Sequence, residues 1–129
     1  MGLMQPVDRA YDKQFLENAK ENCLNMLKHS KNEFDRYNKT SNIVYLQQAG
    51  NKLFGVIENL IEYIEQRDYN VYGQFMKYTQ SQELKNLLRK AKELHLFFYG
   101  GLNEGNPDDI KKVYLDIYKK IKIKVYKLR

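Results

Sequence analysis

Apolar residues along this chain recur at intervals of three, four and seven positions, the spacing that places side chains on one face of an α-helix. The first such stretch predicts a helix from Asp8 to Tyr37. A second predicted helix starts after Thr40 or Ser41, either of which can cap it. Its apolar stripe, over about six turns, consists of Ile43, Leu46, Gly50, Leu53, Ile57, Leu60, Ile61 and Ile64.

Residues 68–80 break this pattern and predict a short helix at most. The aromatic residues of this segment are Tyr69, Tyr72, Phe75 and Tyr78. They either close one end of a helical bundle or offer rings on which bases stack. A third long helix is predicted to start after Thr79 or Ser81 and to end at Gly100-Gly101, because glycine adopts the left-handed conformation that terminates helices.

The fourth long helix has the clearest start, since the capping residue Asn106 precedes Pro107 in the first turn. The last nine residues are ambiguous, because the run IKIKVY at positions 121–126 alternates with the period of two that is typical of strands. A continued helix is favoured there because no other strand is predicted to pair with it. Short connections make consecutive helices antiparallel. The sequence therefore predicts an all-α fold for residues 1–129, a single domain built as an antiparallel up-down four-helix bundle.

Two glycines interrupt the predicted second helix, Gly50 and Gly55. Each costs about 1 kcal/mol relative to alanine in a helix interior. We expect them where a neighbouring helix approaches closely; a ligand lying against bare backbone is the alternative.

The chain carries a net charge of +6, which favours anionic partners. Eight of the last 19 residues are basic and one is acidic, so the excess charge lies at the C-terminal end. The candidate nucleic-acid-binding residues are Lys111, Lys112, Lys119, Lys120, Lys122 and Lys124. A solvated helix face is the alternative interpretation of these lysines.

Most catalytic and metal-binding signatures are missing from the sequence, and we expect no cofactor. One cysteine and two histidines make a structural zinc site improbable, and Cys23 occupies an apolar helix position typical of packing. The carboxylates Glu58, Glu62 and Glu65 are predicted to form a solvated face. The absence of a long apolar run or a secretory leader predicts a cytoplasmic protein without membrane contact.

Within the third predicted long helix, His95 and Tyr99 lie four positions apart and so share a face. His95 borders the apolar stripe, where a histidine can transfer protons near neutral pH or simply pack.

Two motifs on the second and third predicted long helices resemble a known family. They are YLQQAGNKLFGV at positions 45–56 and AKELHLFFY at positions 91–99. Both are similar to motifs of the small archaeal repeat-encoded proteins related to the HEPN superfamily. The resemblance covers about half of the chain, roughly residues 42–66 and 84–121. It implies an antiparallel helical bundle, often a homodimer, and a nucleotidyltransferase-like protein as a partner.

Many members of that superfamily are metal-independent ribonucleases. Their arginine and histidine, four to six residues apart at a dimer cleft, promote attack of the ribose 2′-OH on the adjacent phosphate. By this resemblance Arg89 and His95, with five residues between them, are the candidate catalytic pair, and Tyr99 would orient the histidine. RNA is then the expected substrate.

A non-catalytic dimerisation or protein-interaction module of unknown partner stays open as the alternative function. Lys90 follows Arg89, where catalytic members usually carry a small polar residue. Six helical steps also separate Arg89 and His95 by roughly 120° on a straight helix, so a kink or a dimer cleft would have to bring them together.

Overall fold

A computed structural model describes residues 4–99 and 106–128, with side chains described up to Leu94 in the helix that ends at Tyr99. The chain is mostly helical, as predicted. Its elements in order are β1 Val7–Asp8, α1 Lys13–Thr40, α2 Ile43–Glu65, β2 Arg67–Asp68, α3 Tyr72–Tyr78, α4 Gln82–Tyr99 and α5 Pro107–Tyr126. The predicted end of the third long helix at Gly100-Gly101 falls outside the described residues.

The N-terminal start of the first helix was predicted incorrectly. Helix α1 starts at Lys13 rather than Asp8, because Val7–Asp8 pairs with Arg67–Asp68 as a two-residue antiparallel ribbon. The Asp12 side chain then accepts a hydrogen bond of 3.0 Å from the Phe15 amide and caps the helix. A two-residue strand is too short to show the alternation by which strands are recognised.

Helix α2 begins where predicted, at Ile43, but its cap is neither Thr40 nor Ser41. Asn42 accepts a 3.1 Å hydrogen bond from the Val44 amide. Ser41 is instead in the left-handed conformation, with φ 58°, where it ends α1. This two-residue connection folds α1 back along α2.

Helix α2 is the central element, since it contacts α1, α4 and α5. Hydrogen bonds fix its direction against α1: the Cys23 thiol reaches the Val56 carbonyl at 3.6 Å, and Ser30 donates to the Ala49 carbonyl at 2.8 Å. As the residue number increases along α1 from Cys23 to Ser30, the contacted residue number on α2 decreases from Val56 to Ala49. The two helices are therefore antiparallel. Burial raises the pKa of Cys23 to about 12, so the thiol stays protonated and packs as predicted.

Helix α5 lies against both α1 and α4. Tyr114 of α5 is fully buried, and its hydroxyl lies 2.7 Å from that of Ser30 on α1. Lys124 near the end of α5 forms a 3.0 Å ion pair with Glu83 near the start of α4, so these two helices are also antiparallel. The helix continues to Tyr126, which confirms the favoured interpretation of the C-terminal residues over a strand.

The two glycines of α2 have different surroundings. At Gly55 the end of the Met26 side chain on α1 occupies the space that a Cβ would need. At Gly50 the nearest described side-chain atom is Cβ of Leu94, at an ordinary 3.8 Å. A side chain of the neighbouring helix thus packs onto Gly55, whereas the described residues show only an ordinary contact at Gly50.

The aromatic segment mainly packs. Tyr69 and Phe75 are buried and stack with ring centroids 4.6 Å apart, which closes the end of α2 beside α3. Tyr72 and Tyr78 are half-buried at its edge. No described helix is long and apolar enough to cross a membrane.

Candidate functional site

Helix α4 brings two basic side chains to a pair of aromatic rings. Nζ of Lys92 lies 5.0 Å from the ring centroid of Tyr72 and 5.6 Å from that of Phe54. The two rings belong to α3 and α2, and their centroids are 6.3 Å apart. Arg89, one turn before Lys92, is exposed and acts electrostatically on the Tyr72 hydroxyl. We call these four residues the α4 cluster.

The α4 cluster contains the first of the predicted catalytic residues, Arg89. The backbone of His95 and Tyr99 belongs to α4, but their side chains lie outside the described residues. Lys92 is three positions from Arg89 and three from His95, so each step turns by roughly 60° on a straight helix. Lys92 therefore lies midway between Arg89 and His95, which are about 120° apart around a straight helix. Tyr99 follows Lys92 by seven positions, a spacing that returns to nearly the same face of the helix.

Around the α4 cluster, burial and nearby cations shift the pKa values of Tyr72 and Glu58 in opposite directions. Burial raises the pKa of Tyr72 above its ordinary value, the Arg89 guanidinium lowers it, and Glu93 raises it further. Burial likewise raises the pKa of Glu58, and the nearby Lys92 ammonium opposes that shift. The cluster therefore carries two cations next to two carboxylates, with an aromatic surface between them.

The six predicted lysines of α5 do not form one surface. Lys120 pairs with Asp116 at 3.2 Å, and Lys124 pairs with Glu83 of α4. On the side facing α1, Lys111 lies 5.9 Å from the Phe34 ring, and Lys122 lies over two tyrosine rings. The remaining two, Lys112 and Lys119, are exposed, and Lys112 lies near Lys90 and Glu93 of α4. Successive residues turn by about 100° along a helix, so lysines at these spacings spread around it.

The carboxylates of α2 are not the solvated face that the sequence predicted. Glu62 accepts a 3.0 Å hydrogen bond from the Tyr69 amide, and Glu65 accepts one of 2.7 Å from the Gln80 amide. The Tyr69 hydroxyl also donates to Glu65. These glutamates hold the α3 segment against α2. The predicted solvated face was wrong because Glu62 and Glu65 accept hydrogen bonds from main-chain amides. The pattern of side chains along a sequence gives no indication of such main-chain donors.

The pKa of Glu62 is raised to about 7, mainly because the carboxyl group is partly buried. The hydrogen bond from the Tyr69 amide lowers this pKa, and the neighbouring Asp68 and Glu58 carboxylates raise it. The folded protein then binds a proton at Glu62 that the unfolded chain releases near pH 4.5. The contribution of Glu62 to stability is fully present below about pH 4.5 and is lost as the pH rises through about 7. After a discount for partial solvent contact, we expect Glu62 to cost about 2 kcal/mol of unfolding free energy at pH 8.

Urea unfolding between pH 5 and pH 8 tests this expectation for wild type and Glu62→Gln. Glutamine is neutral throughout and its amide oxygen can still accept from the Tyr69 amide. The stability of the variant should rise relative to wild type as the pH increases. Parallel profiles for the two proteins would contradict the assignment.

Sequence reasoning did not identify Lys92 or Phe54 as site residues, and it named Tyr72 only as one of four aromatic residues on which bases could stack. Lys92 had a usable signal, since its i+3 spacing from Arg89 and to His95 places it between them on the helix. Phe54 had none, and nothing linked Tyr72 to Arg89, because α2 and α3 come together with α4 only in the tertiary structure. The described residues contain no group of three or more His, Cys, Asp or Glu side chains that could hold a metal ion.

Comparison of the chain with protein-family models, with curated proteins and with solved structures finds no match in any of the three.

Proposed function

We propose that this protein is an RNA-associated helical module of HEPN type that cleaves RNA without a metal ion, with its site at the α4 cluster. The observation that carries the proposal is the position of Lys92 over the rings of Tyr72 and Phe54, with Arg89 near enough to lower the pKa of Tyr72. Cations bind the phosphates of RNA, and aromatic rings stack on unpaired bases. The α4 cluster combines both on one surface.

In this proposal Arg89 and Lys92 have different roles: Arg89 binds the phosphate, and Lys92 helps to stabilise the negative charge that develops during the reaction. The Arg89 guanidinium presents a planar fork of donors that matches two phosphate oxygens. Lys92 adds a second positive charge one turn further along α4, where it stabilises the negative charge that develops on the phosphorane. His95 accepts the proton of the attacking 2′-OH and returns one to the leaving 5′-oxygen, and Tyr99 orients its ring.

The proposal includes an up-down four-helix bundle and a homodimer. The antiparallel pairing of α1 with α2 and of α4 with α5 supports an up-down four-helix bundle of the four long helices. A homodimer would bring a second α4 to the site and complete the cleft that one straight helix leaves open. The homodimer, the nucleotidyltransferase-like partner and the cytoplasmic location stay predictions of the motif resemblance and the sequence.

RNA cleavage in EDTA tests the proposal directly. Purified wild-type protein should cleave single-stranded RNA in EDTA, and His95→Ala should reduce the rate at least a hundredfold, since general acid–base catalysis contributes about 10²–10⁴. His29→Ala is the matched control because His29 is the other histidine and is exposed on α1, away from the α4 cluster. Circular dichroism should show that both variants keep the wild-type helix content.

Equal activity in wild type and folded His95→Ala would contradict the catalytic assignment. RNA binding without cleavage across varied sequences would favour the non-catalytic alternative, in which the helices form a dimerisation or docking module. In that case Arg89 and Lys92 bind phosphate but have no catalytic role.

A further inference from the structure

A groove between α1 and α5 combines basic, amide and aromatic side chains on a face other than the one that carries the α4 cluster. It encloses about 470 Å³. The residues that line it are Leu24, Asn25, Leu27, Lys28, Lys31, Asn32, Tyr118 and Tyr126. The leucines belong to or pack on the core, so the floor is apolar and the walls are polar.

Lysines of both helices lie in or beside the groove. Lys28 and Lys31 of α1 line it. Nζ of Lys122 on α5 lies 5.8 Å from the Tyr118 ring centroid and 5.7 Å from that of Tyr126, the two tyrosines of the lining. Lys31 also lies 5.6 Å from the ring centroid of Phe34, which Lys111 of α5 approaches at 5.9 Å.

The charge of the groove is mainly positive. Lys28 and Lys31 line the groove and Lys122 lies beside its two tyrosines, whereas the acidic Asp35 pairs with Lys31 at 2.6 Å. Both partners of that ion pair remain partly exposed, so an incoming anion can compete for the lysine.

The aromatic residues distinguish a nucleic-acid strand from an acidic protein as the occupant. Tyr126 is 49% exposed, and a lysine already lies over its ring. A base can stack on such a ring while the lysine holds the adjoining phosphate. Asn25 and Asn32 are exposed on the α1 wall, where their amides can donate to and accept from base edges. An acidic peptide would use the lysines but would gain little from the rings.

The dimensions of the groove also fit a short single strand. The eight residue-to-residue steps from Tyr118 to Tyr126 span about 12 Å of helix axis. That length accommodates about three stacked nucleotides at roughly 3.4 Å each.

We infer that the groove between α1 and α5 is a binding site for single-stranded nucleic acid, in which Tyr126 stacks on a base and Lys28 and Lys122 hold phosphates. This inference rests on the proposed association with RNA but not on cleavage. The site lies apart from the α4 cluster, so it anchors the strand independently of His95. It also divides the lysines of α5: Lys122 lies beside the two tyrosines of the groove, whereas Lys120 and Lys124 are paired with Asp116 and Glu83.

Binding of a fluorescent single-stranded oligouridylate, measured over a range of salt concentrations, tests the inference. Tyr126→Ala should weaken binding roughly 5- to 100-fold, because one base stack is lost, whereas Tyr126→Phe should bind like wild type. Lys28→Gln/Lys122→Gln should flatten the salt dependence by about 1.4 in log–log slope, which corresponds to two phosphate contacts.

Lys39→Gln/Lys77→Gln is the charge-matched control. Both lysines are exposed outside the groove, and Lys77 also lies beside a tyrosine ring, 5.3 Å from that of Tyr78. An equal loss of affinity in this control would show that binding is diffuse surface attraction and would overturn the inference. Unchanged affinity in a folded Tyr126→Ala would also overturn it, as would polyaspartate binding as tightly as the oligonucleotide.

The His95→Ala protein separates this inference from the proposed ribonuclease. Strand binding that persists in His95→Ala and is lost in Tyr126→Ala supports the groove whether or not wild type cleaves RNA. Cleavage by a wild type whose groove variants all bind normally would support the ribonuclease and overturn the groove.

Discussion

Replacing Arg89 with alanine is expected to reduce RNA cleavage in EDTA at least a hundredfold, because the charge that stabilises the phosphorane is lost. Removal of a single preorganised donor to a developing oxyanion costs about 10²–10³ in kcat. Arg89→Lys should recover part of that loss, since the charge remains but the planar fork is gone. Lys92→Ala should reduce the rate as well, because Lys92 lies between Arg89 and His95 on α4.

Lys90→Ala is the matched control for these cleavage rates. It removes the same unit of charge from the adjacent position, but Lys90 lies beside Lys112, Val113 and Asp116 on the α5 side of the helix. We expect a rate close to that of wild type. Equal losses in Arg89→Ala and Lys90→Ala would mean that α4 contributes only general positive charge, and the assignment of Arg89 to the transition state would fail.

Replacing Tyr114 with alanine is expected to lower the free energy of unfolding by about 4 kcal/mol, the typical cost of truncating a buried aromatic residue. Tyr114 is fully buried, and its ring stacks on Phe34 with centroids 4.5 Å apart. Its hydroxyl lies 2.7 Å from that of Ser30, which in turn donates to the Ala49 carbonyl. This one side chain therefore joins α5 to α1 and, through Ser30, to α2.

Urea unfolding of Tyr114→Phe and Tyr11→Ala provides the comparison. Tyr114→Phe keeps the ring and loses only the hydrogen bond, so a loss of about 1 kcal/mol is expected. Tyr11 is 76% exposed, and its truncation should change stability by less than about 0.5 kcal/mol. A loss below about 1.5 kcal/mol for Tyr114→Ala would show that α5 is not tied to the core through this residue.

The sequence alone was sufficient for elements whose signals are local. Helix α5 starts at Pro107 as predicted, because Asn106 caps it and proline fits the first turn whatever the helix packs against. The start of α2 was predicted to within two residues from the apolar stripe that begins at Ile43, although the cap is Asn42 and not Thr40 or Ser41. The candidate pair Arg89 and His95 also came from the sequence, through the motif resemblance.

The tertiary structure decided whatever depends on contacts between distant segments. Helix α1 starts at Lys13 and not at Asp8 because Val7–Asp8 pairs with Arg67–Asp68, a contact between segments about sixty residues apart in the sequence. The tertiary structure also buried Glu62 against the Tyr69 amide, where side-chain patterning predicted solvent.

The same holds for the two candidate surfaces. Tyr72 and Phe54 join Arg89 and Lys92, and Lys28 of α1 joins Lys122 of α5, only after the helices pack. Helical periodicity determines which residues share a face of one helix, because that spacing is a property of the backbone. Which two faces then form a groove depends on how the cores of separate helices fit together, and that information is not present in any single segment.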